Sequence, residues 1–226
     1  MDIFAAALGA LERDGACRWP EALPEAAVAD LEGRLGGGPR LERRPVGLEA
    51  FASWASATFL PELAARVLGP AARPVRALLM GKAADRENWA IAFHQDTTLA
   101  LKEPREVPGF GPWVNKAHVY QAQAPASVME GMLATRIHLD PCGLGQGPLQ
   151  VLPGSHHGGR LGDAEIEAWR SRMAPRTVLA SRGDVVLMRP LLLHGSDRAT
   201  DPSPRRVLHV EWAAAPPPGG LAWAWF

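Results

Sequence analysis

Apolar positions change their spacing near residue 75, and the change separates two kinds of structure. Before it they recur at helical intervals. Ile3, Leu8 and Leu11 mark a first amphipathic helix, and Pro24-Glu25 opens a second that runs to Leu35. Gly36-Gly37-Gly38-Pro39 stops that helix, two further helical stretches follow over about 48–59 and 61–68, and Gly69-Pro70 with Arg73-Pro74 ends the pattern. From Val75 onward the apolar runs are short and separated by turn residues. They predict strands over 75–80, 89–94, 118–123, 132–140, 148–152, 177–180, 184–188 and 206–212, with one helix at 162–172. Strands at this density, without helices alternating between them, predict a mainly β sandwich or barrel with flanking helices. No linker divides the chain, so one domain is expected over 1–226: a mainly helical part (1–74), a β core (75–215) and a tail (216–226).

The segment 132–140 says most about what the core encloses. Period-two alternation puts Arg136, His138 and Asp140 on one face and Leu133, Ile137 and Leu139 on the other. A polar face inside a barrel lines a site.

Composition narrows the partners. The 226 residues carry 24 basic and 24 acidic side chains, and 47% are hydrophobic. Balanced charge gives no support to nucleic acid or an anionic membrane surface as partner. No apolar run approaches the roughly 18 residues of a membrane span, and Met1-Asp2-Ile3-Phe4 lacks a basic leader. Cys17 and Cys142 are far apart and read as free thiols, so a cytoplasmic protein is expected.

The candidate chemistry lies in histidines and carboxylates. His-x-Asp occurs twice, as His94-Gln95-Asp96 and as His138-Leu139-Asp140, and either pair can join the later His194. Two imidazoles and one carboxylate form the facial set that holds non-haem Fe(II) and leaves positions open. Strand order favours the first pair. More predicted strands lie between Asp96 and His194 than between Asp140 and His194, enough to cross a barrel and return. Asp140-Pro141, followed by Gly143 and Gly145, also reads as a turn, whereas 97–100 continues an extended pattern after Asp96. Arg205, eleven positions after His194, offers a guanidinium fork suited to the far carboxylate of a dicarboxylic acid. His156-His157 falls in a tight turn and is not expected to bind metal.

Three segments resemble the phytanoyl-CoA dioxygenase family: Phe93-His94-Gln95-Asp96, the run from Gly147 to His156 (GPLQVLPGSH), and the run from Gly183 to Ser196 (GDVVLMRPLLLHGS). The resemblance covers about residues 80–215. It implies a double-stranded β-helix (jelly-roll, cupin-like) core, Fe(II) held by His94, Asp96 and His194, and 2-oxoglutarate as co-substrate. Arg205 would bind its C5 carboxylate, helped by the Ser196 hydroxyl, and the neighbouring Arg206 is set aside by the family's eleven-residue offset. The implied reaction is hydroxylation of a small molecule with O₂, releasing succinate and CO₂. Asp96 stands where related halogenases have a small residue, which argues against halogenation. The chain departs from better-known members in a longer segment after the metal pair, and the fatty-acyl-CoA binding features are not recognisable.

Arg136, His138 and Trp113 are the candidate substrate contacts, and the stretch 97–125, read as a long loop, is a candidate lid. Trp223, Trp225 and Phe226 make an apolar tail expected to pack on the domain or in a dimer interface. Two other classes share the metal-binding pattern: a non-catalytic jelly-roll protein binding metal or a small molecule, and a metal-dependent hydrolase. The hydrolase reading lacks a separate general base near the metal pair and gives Arg205 no purpose.

Overall fold

The computed structural model describes residues 3–36, 41, 43–116 and 118–225. Its helical layer comprises α1 (Ile3–Asp14), α2 (Glu25–Arg34), α3 (Leu48–Ala55) and α4 (Leu60–Leu68). Positions 37–39 of the expected glycine break lie outside the described residues. Two short strands are set among these helices, β1 (Ala16–Trp19) and β2 (Arg43–Pro45), where sequence analysis expected helix and connection only. Strands of three or four residues carry no readable period, and both exist through pairing with distant chain. The β core follows in order: β3 (Arg73–Lys82), β4 (Ile91–His94), β5 (Thr98–Leu101), β6 (Trp113–Lys116), β7 (Val119–Gln123), α5 (Ala126–Glu130), β8 (Met132–His138), β9 (Leu149–Val151), α6 (Asp163–Arg172), β10 (Arg176–Val178), β11 (Val185–Met188), β12 (His194–Ser196) and β13 (Arg205–Ala213).

Every strand pair is antiparallel. The large sheet runs β1-β11-β8-β13-β3-β2 and the small sheet β10-β9-β12-β4. Their inner faces meet through Ala134, Val186 and Met188 of one and Leu149 and Val151 of the other. The largest apolar cluster lies elsewhere, between the helices and the outer face of the large sheet. There Leu133, Ile137, Leu208, Val210 and Trp212 pack against Leu31, Phe51, Trp54, Leu60 and Leu63. Alternation then turns Arg136 and His138 on β8, and Arg205, His209 and Glu211 on β13, toward the small sheet.

Asp140 does not continue that inner face. β8 ends at His138, and the Asp140 carboxylate accepts from the Arg206 backbone N–H at 2.8 Å and from its guanidinium Nε and Nη2 at 2.7 Å. Glu32 on α2 joins the same guanidinium. Arg206 therefore faces the helices and Arg205 the interior.

The segment 97–125 is not an unstructured loop. β5, β7 and β6 pair in that order as a third sheet, whose Leu99, Leu101 and Ala122 bury against Leu221 and Trp223 of the tail. The strand at 118–123 thus builds this separate sheet and not the barrel. The strand count that favoured His94-Asp96 included one strand too many; β8, β9 and β10 of the two core sheets still lie between Asp96 and β11, against β9 and β10 after Asp140. The tail packs on the domain, with Leu101 and Trp223 bridged backbone to backbone.

Trp212 ties the layers together: its indole N–H donates to Thr135 Oγ1 at 2.9 Å, and its ring meets Phe51 edge-on at 6.0 Å. Trp212→Ala should lower the unfolding free energy by about 3–5 kcal/mol. Trp212→Phe should cost about 1–3 kcal/mol, through the buried Thr135 hydroxyl left unpaired. Urea denaturation of both variants measures this, and a loss under about 1 kcal/mol for the alanine variant would mean the helical layer does not depend on the contact.

Candidate active site

β4 and β12 are neighbours in the small sheet, with His94 directly opposite His194. Their rings lie 4.3 Å apart between centroids. Close approach of these strands requires Gly195, since a Cβ there would stand 2.9 Å from the Ile91 carbonyl oxygen. Asp96 follows two residues after His94, its backbone N–H donating to Pro190 O at 2.9 Å. Its two carboxylate oxygens face the two imidazoles, Oδ1 at 3.6 Å from His94 Nε2 and Oδ2 at 3.7 Å from His194 Nε2. Potential ligand atoms of the three residues all lie within 4.8 Å of one another, the one such group of three or more His, Cys, Asp or Glu among the described residues.

The surroundings aim these ligands. His94 Nδ1 lies 2.9 Å from Ala92 O, and His194 Nδ1 lies 2.9 Å from Leu192 O. A proton on each Nδ1 donates to its carbonyl and leaves both Nε2 lone pairs directed inward, as a metal ligand requires. Gln95, between His94 at the end of β4 and Asp96 just after it, points the other way. Its amide donates to Gly159 O and Leu191 O at 2.7 and 2.6 Å, and its carbonyl oxygen accepts from the Leu161 N–H at 2.8 Å. Ser155, in the turn of the Pro153-Gly154-Ser155-His156 motif, accepts from the Leu193 N–H at 2.8 Å and so sets the residue before His194. His156 meets the Glu12 carbonyl, 3.0 Å away, and lies apart from the metal set.

Charge follows from burial. Burial disfavours the imidazolium and pushes His194 down to about 4, despite the opposing effect of Asp96, and pushes His209 down to about 3. Burial alone would raise Asp96, but His194, His94 and His209 around it hold the carboxyl well below its ordinary value. Burial thus favours the neutral imidazole at His194 and His209, and Asp96 stays ionised.

A cavity of about 70 Å³ opens onto His94, Asp96 and His194 and is also lined by Trp89, Arg136, Ser196, His209 and Glu211. A larger cavity of about 350 Å³ shares Arg76, Leu78, His94 and Asp96 with it and reaches Arg44, Lys116 and Trp225. Below Ser196 lies Lys82, fully buried, whose ammonium donates to Ser196 Oγ at 3.1 Å, to Trp89 O at 3.3 Å and to Asp197 O. Burial, reinforced by Arg205, brings its pKa down to about 7. Arg205 stands opposite Lys82 in strand register, its guanidinium 5.6 Å from the Trp89 ring. Nη2 donates to Gly147 O at 2.8 Å and Nη1 has no partner among the described residues.

The residues singled out from sequence thus divide. His94, Asp96, His194, Ser196 and Arg136 meet at the inner cavity, and Arg205 lies one layer deeper. His138 is buried level with Val207, between Arg136 and Arg205, and lines neither cavity. Trp113 packs with Leu99, Leu101 and Trp223 and also lines neither, because β6 turns it into the third sheet's apolar side. Lys82, Arg76, His209 and Glu211 were missed. Lys82 continues the inward alternation of Leu78 and Met80, and Glu211 that of Arg205 and His209, so strand period alone was enough to reach them.

Two facing antiparallel sheets, with two imidazoles and a carboxylate converging between them, define an enzyme of the non-haem, metal-dependent oxygenase type. The chain belongs to the phytanoyl-CoA dioxygenase family, whose sequence profile matches residues 11–207. Among solved structures it is similar to AviO1 from Streptomyces viridochromogenes Tue57, at 26% identity over 94% of this chain and 96% of that one, with a TM-score of 0.65. HygX from Streptomyces hygroscopicus, with nickel, 2-oxoglutarate and hygromycin B bound, gives 18% identity over 92% and 86% of the two chains, TM-score 0.62. SnoN, an alpha-ketoglutarate-dependent epimerase from nogalamycin biosynthesis, gives 17% over 92% and 81%, TM-score 0.62. No curated protein matches in sequence.

The ligand assignment is tested with Ni(II), which stabilises only a protein that holds it; at a hundredfold excess over Kd the gain is about 2.7 kcal/mol. The Ni(II)-induced rise in melting temperature should appear in wild type and His138→Ala and vanish in His94→Ala and His194→Ala. A rise lost in His138→Ala and kept in His94→Ala would reverse the choice of pair.

Proposed function

We propose that this protein is an Fe(II)- and 2-oxoglutarate-dependent dioxygenase that hydroxylates a small-molecule substrate using O₂, with release of succinate and CO₂. The observation that carries the reading is the single cavity joining the three convergent ligand atoms to Ser196, with two buried cations beyond it. The donor set fits iron: two imidazole nitrogens and one carboxylate on one side, with the other side open to the cavity. The orphaned Nη1 of Arg205 fits a carboxylate supplied from outside the protein. Family membership and the 2-oxoglutarate bound in HygX support the same cofactors.

Bound there, iron with 2-oxoglutarate supplies the oxygen activation; the side chains place and charge the reactants. His94 and His194 present Nε2 because their Nδ1 protons are tied to backbone carbonyls. Asp96 keeps its charge at any pH near neutrality and occupies the position a halide would need. Ser196, Arg205 and Lys82 receive the far carboxylate of the co-substrate. The larger cavity holds the substrate, since it opens on the same Asp96 and His94 while its mouth is formed by Arg44, Lys116 and Trp225. His209 and the Arg76–Glu211 pair, 3.0 Å between Nη1 and Oε1, form the inner wall on the large-sheet side.

Anaerobic visible spectroscopy, adding Fe(II) and then 2-oxoglutarate, tests this reading. Wild type should develop a charge-transfer band. Arg205→Ala should need on the order of tenfold more 2-oxoglutarate, because a charge-assisted contact is lost. Arg206→Ala should keep the wild-type titration and lose on the order of 2 kcal/mol of stability instead, as Asp140 loses its cation and Glu32 keeps only Arg182. A correctly folded wild type that forms no band would sink the oxygenase reading.

A further inference from the structure

Arg136 is the strongest unexplained feature of the interior. It is 5% exposed and lines the inner cavity. It forms no hydrogen bond or ion pair with any described residue, and its Nε is a buried donor without a partner. A guanidinium removed from water in this way is costly unless something else supplies the anion. Burial and the nearby Arg205 bring its pKa down to about 10, which still leaves it charged at neutral pH.

Strand register locates it along the cavity. On β13 the inward residues are Glu211, His209, Val207 and Arg205, and Arg136 of β8 stands opposite His209. The His209 ring reaches Asp96, Nε2 to Oδ2 at 3.9 Å, so this rung lies at the level of the metal set. Arg205 is two inward rungs further along, opposite Lys82. Besides Arg76, which pairs with Glu211, the described interior holds Arg136, Arg205 and Lys82, and apart from Asp96 and Glu211 no carboxylate among the described residues lines the inner cavity. Arg136 lies beside the ligand set, and Arg205 and Lys82 lie at the far end.

We propose that Arg136 binds the carboxylate of 2-oxoglutarate next to the keto group, while Arg205 and Lys82 take the far one. This rests on the co-substrate reading above and assigns Arg136 to the co-substrate, not to the substrate expected from sequence. The planar fork of Arg136 grips the carboxylate edge and sets the plane in which the keto acid meets the ligand set. Selection for a dianion follows, since a cation waits at each end.

Calorimetric titration of the Ni(II)-loaded protein separates the two ends by using two probes: 2-oxoglutarate, and pyruvate, which has the keto-acid end alone. Wild type should bind both, pyruvate more weakly. Arg136→Leu should weaken both by a similar factor, on the order of tenfold or more, and Arg136→Lys should recover part of the loss. Arg205→Leu should weaken 2-oxoglutarate and leave pyruvate unchanged. The Ni(II)-induced thermal shift confirms that each variant is folded with its metal set intact, and Arg136→Gln replaces the leucine variant if that shift is lost. Arg136→Leu binding both probes like wild type overturns the proposal, as does a loss confined to 2-oxoglutarate, which would put Arg136 at the far carboxylate. Wild type that binds 2-oxoglutarate but not pyruvate also overturns it. Wild type that takes up Ni(II) yet binds neither probe fails the co-substrate reading itself.

Discussion

Charge inside the barrel is the constraint around which this structure is arranged. Lys82, Arg136, Arg205, His209 and Glu211 are all buried, and a buried ionisable group is costly unless it is paired or neutralised. The fold accommodates them by moving its main apolar core outside the barrel. The outer face of the large sheet, with Leu133, Ile137, Leu208, Val210 and Trp212, is covered by α2, α3 and α4, and stability comes from that contact. The inner face is thereby released from the task of packing. Glu211 shows the strain: burial raises its carboxyl to about 7, against the pull of Arg76 beside it.

The metal set depends on a second layer of contacts made almost wholly by backbone groups. Ala92 O and Leu192 O orient the two imidazoles, Gln95 binds the 159–161 segment to Leu191, and Ser155 holds the Leu193 N–H. Backbone groups cannot swing away, so ligand direction is settled before any metal arrives. This gives the Pro153-Gly154-Ser155-His156 turn a physical role. Its serine supports the strand that presents His194, whereas its histidine meets the Glu12 carbonyl and the His157 ring, away from the ligand set.

From that rigid end the cavity changes character in both directions. Inward it narrows toward Ser196, behind which Lys82 and Arg205 lie. Outward it widens past Asp96 to a mouth with Lys116, Arg44 and Trp225, formed partly by the third sheet and the tail. Membership in the phytanoyl-CoA dioxygenase family does not carry a substrate with it, since function is set by the residues at the site and not by the fold.

Much of this was legible in the chain. Period-two alternation around Ile137 and Leu208 identified the large sheet's two faces, and the order His94, Asp96, His194 marked three residues whose ligand atoms converge in the fold, because both depend on local geometry and residue type. Other features were not local. β1 and β2 exist only through pairing with β11 and β3, the third sheet arose where a loop was expected, and Trp113 turned away from the site with it. Asp140 left the inner face because Arg206, itself held by Glu32 of the helical layer, offered it a partner. By itself the sequence determined the ligand types, their order and the strand faces, since covalent spacing sets these. Only the tertiary structure decided which cation meets the cavity and which lies behind it, since that depends on the register between strands far apart in the chain.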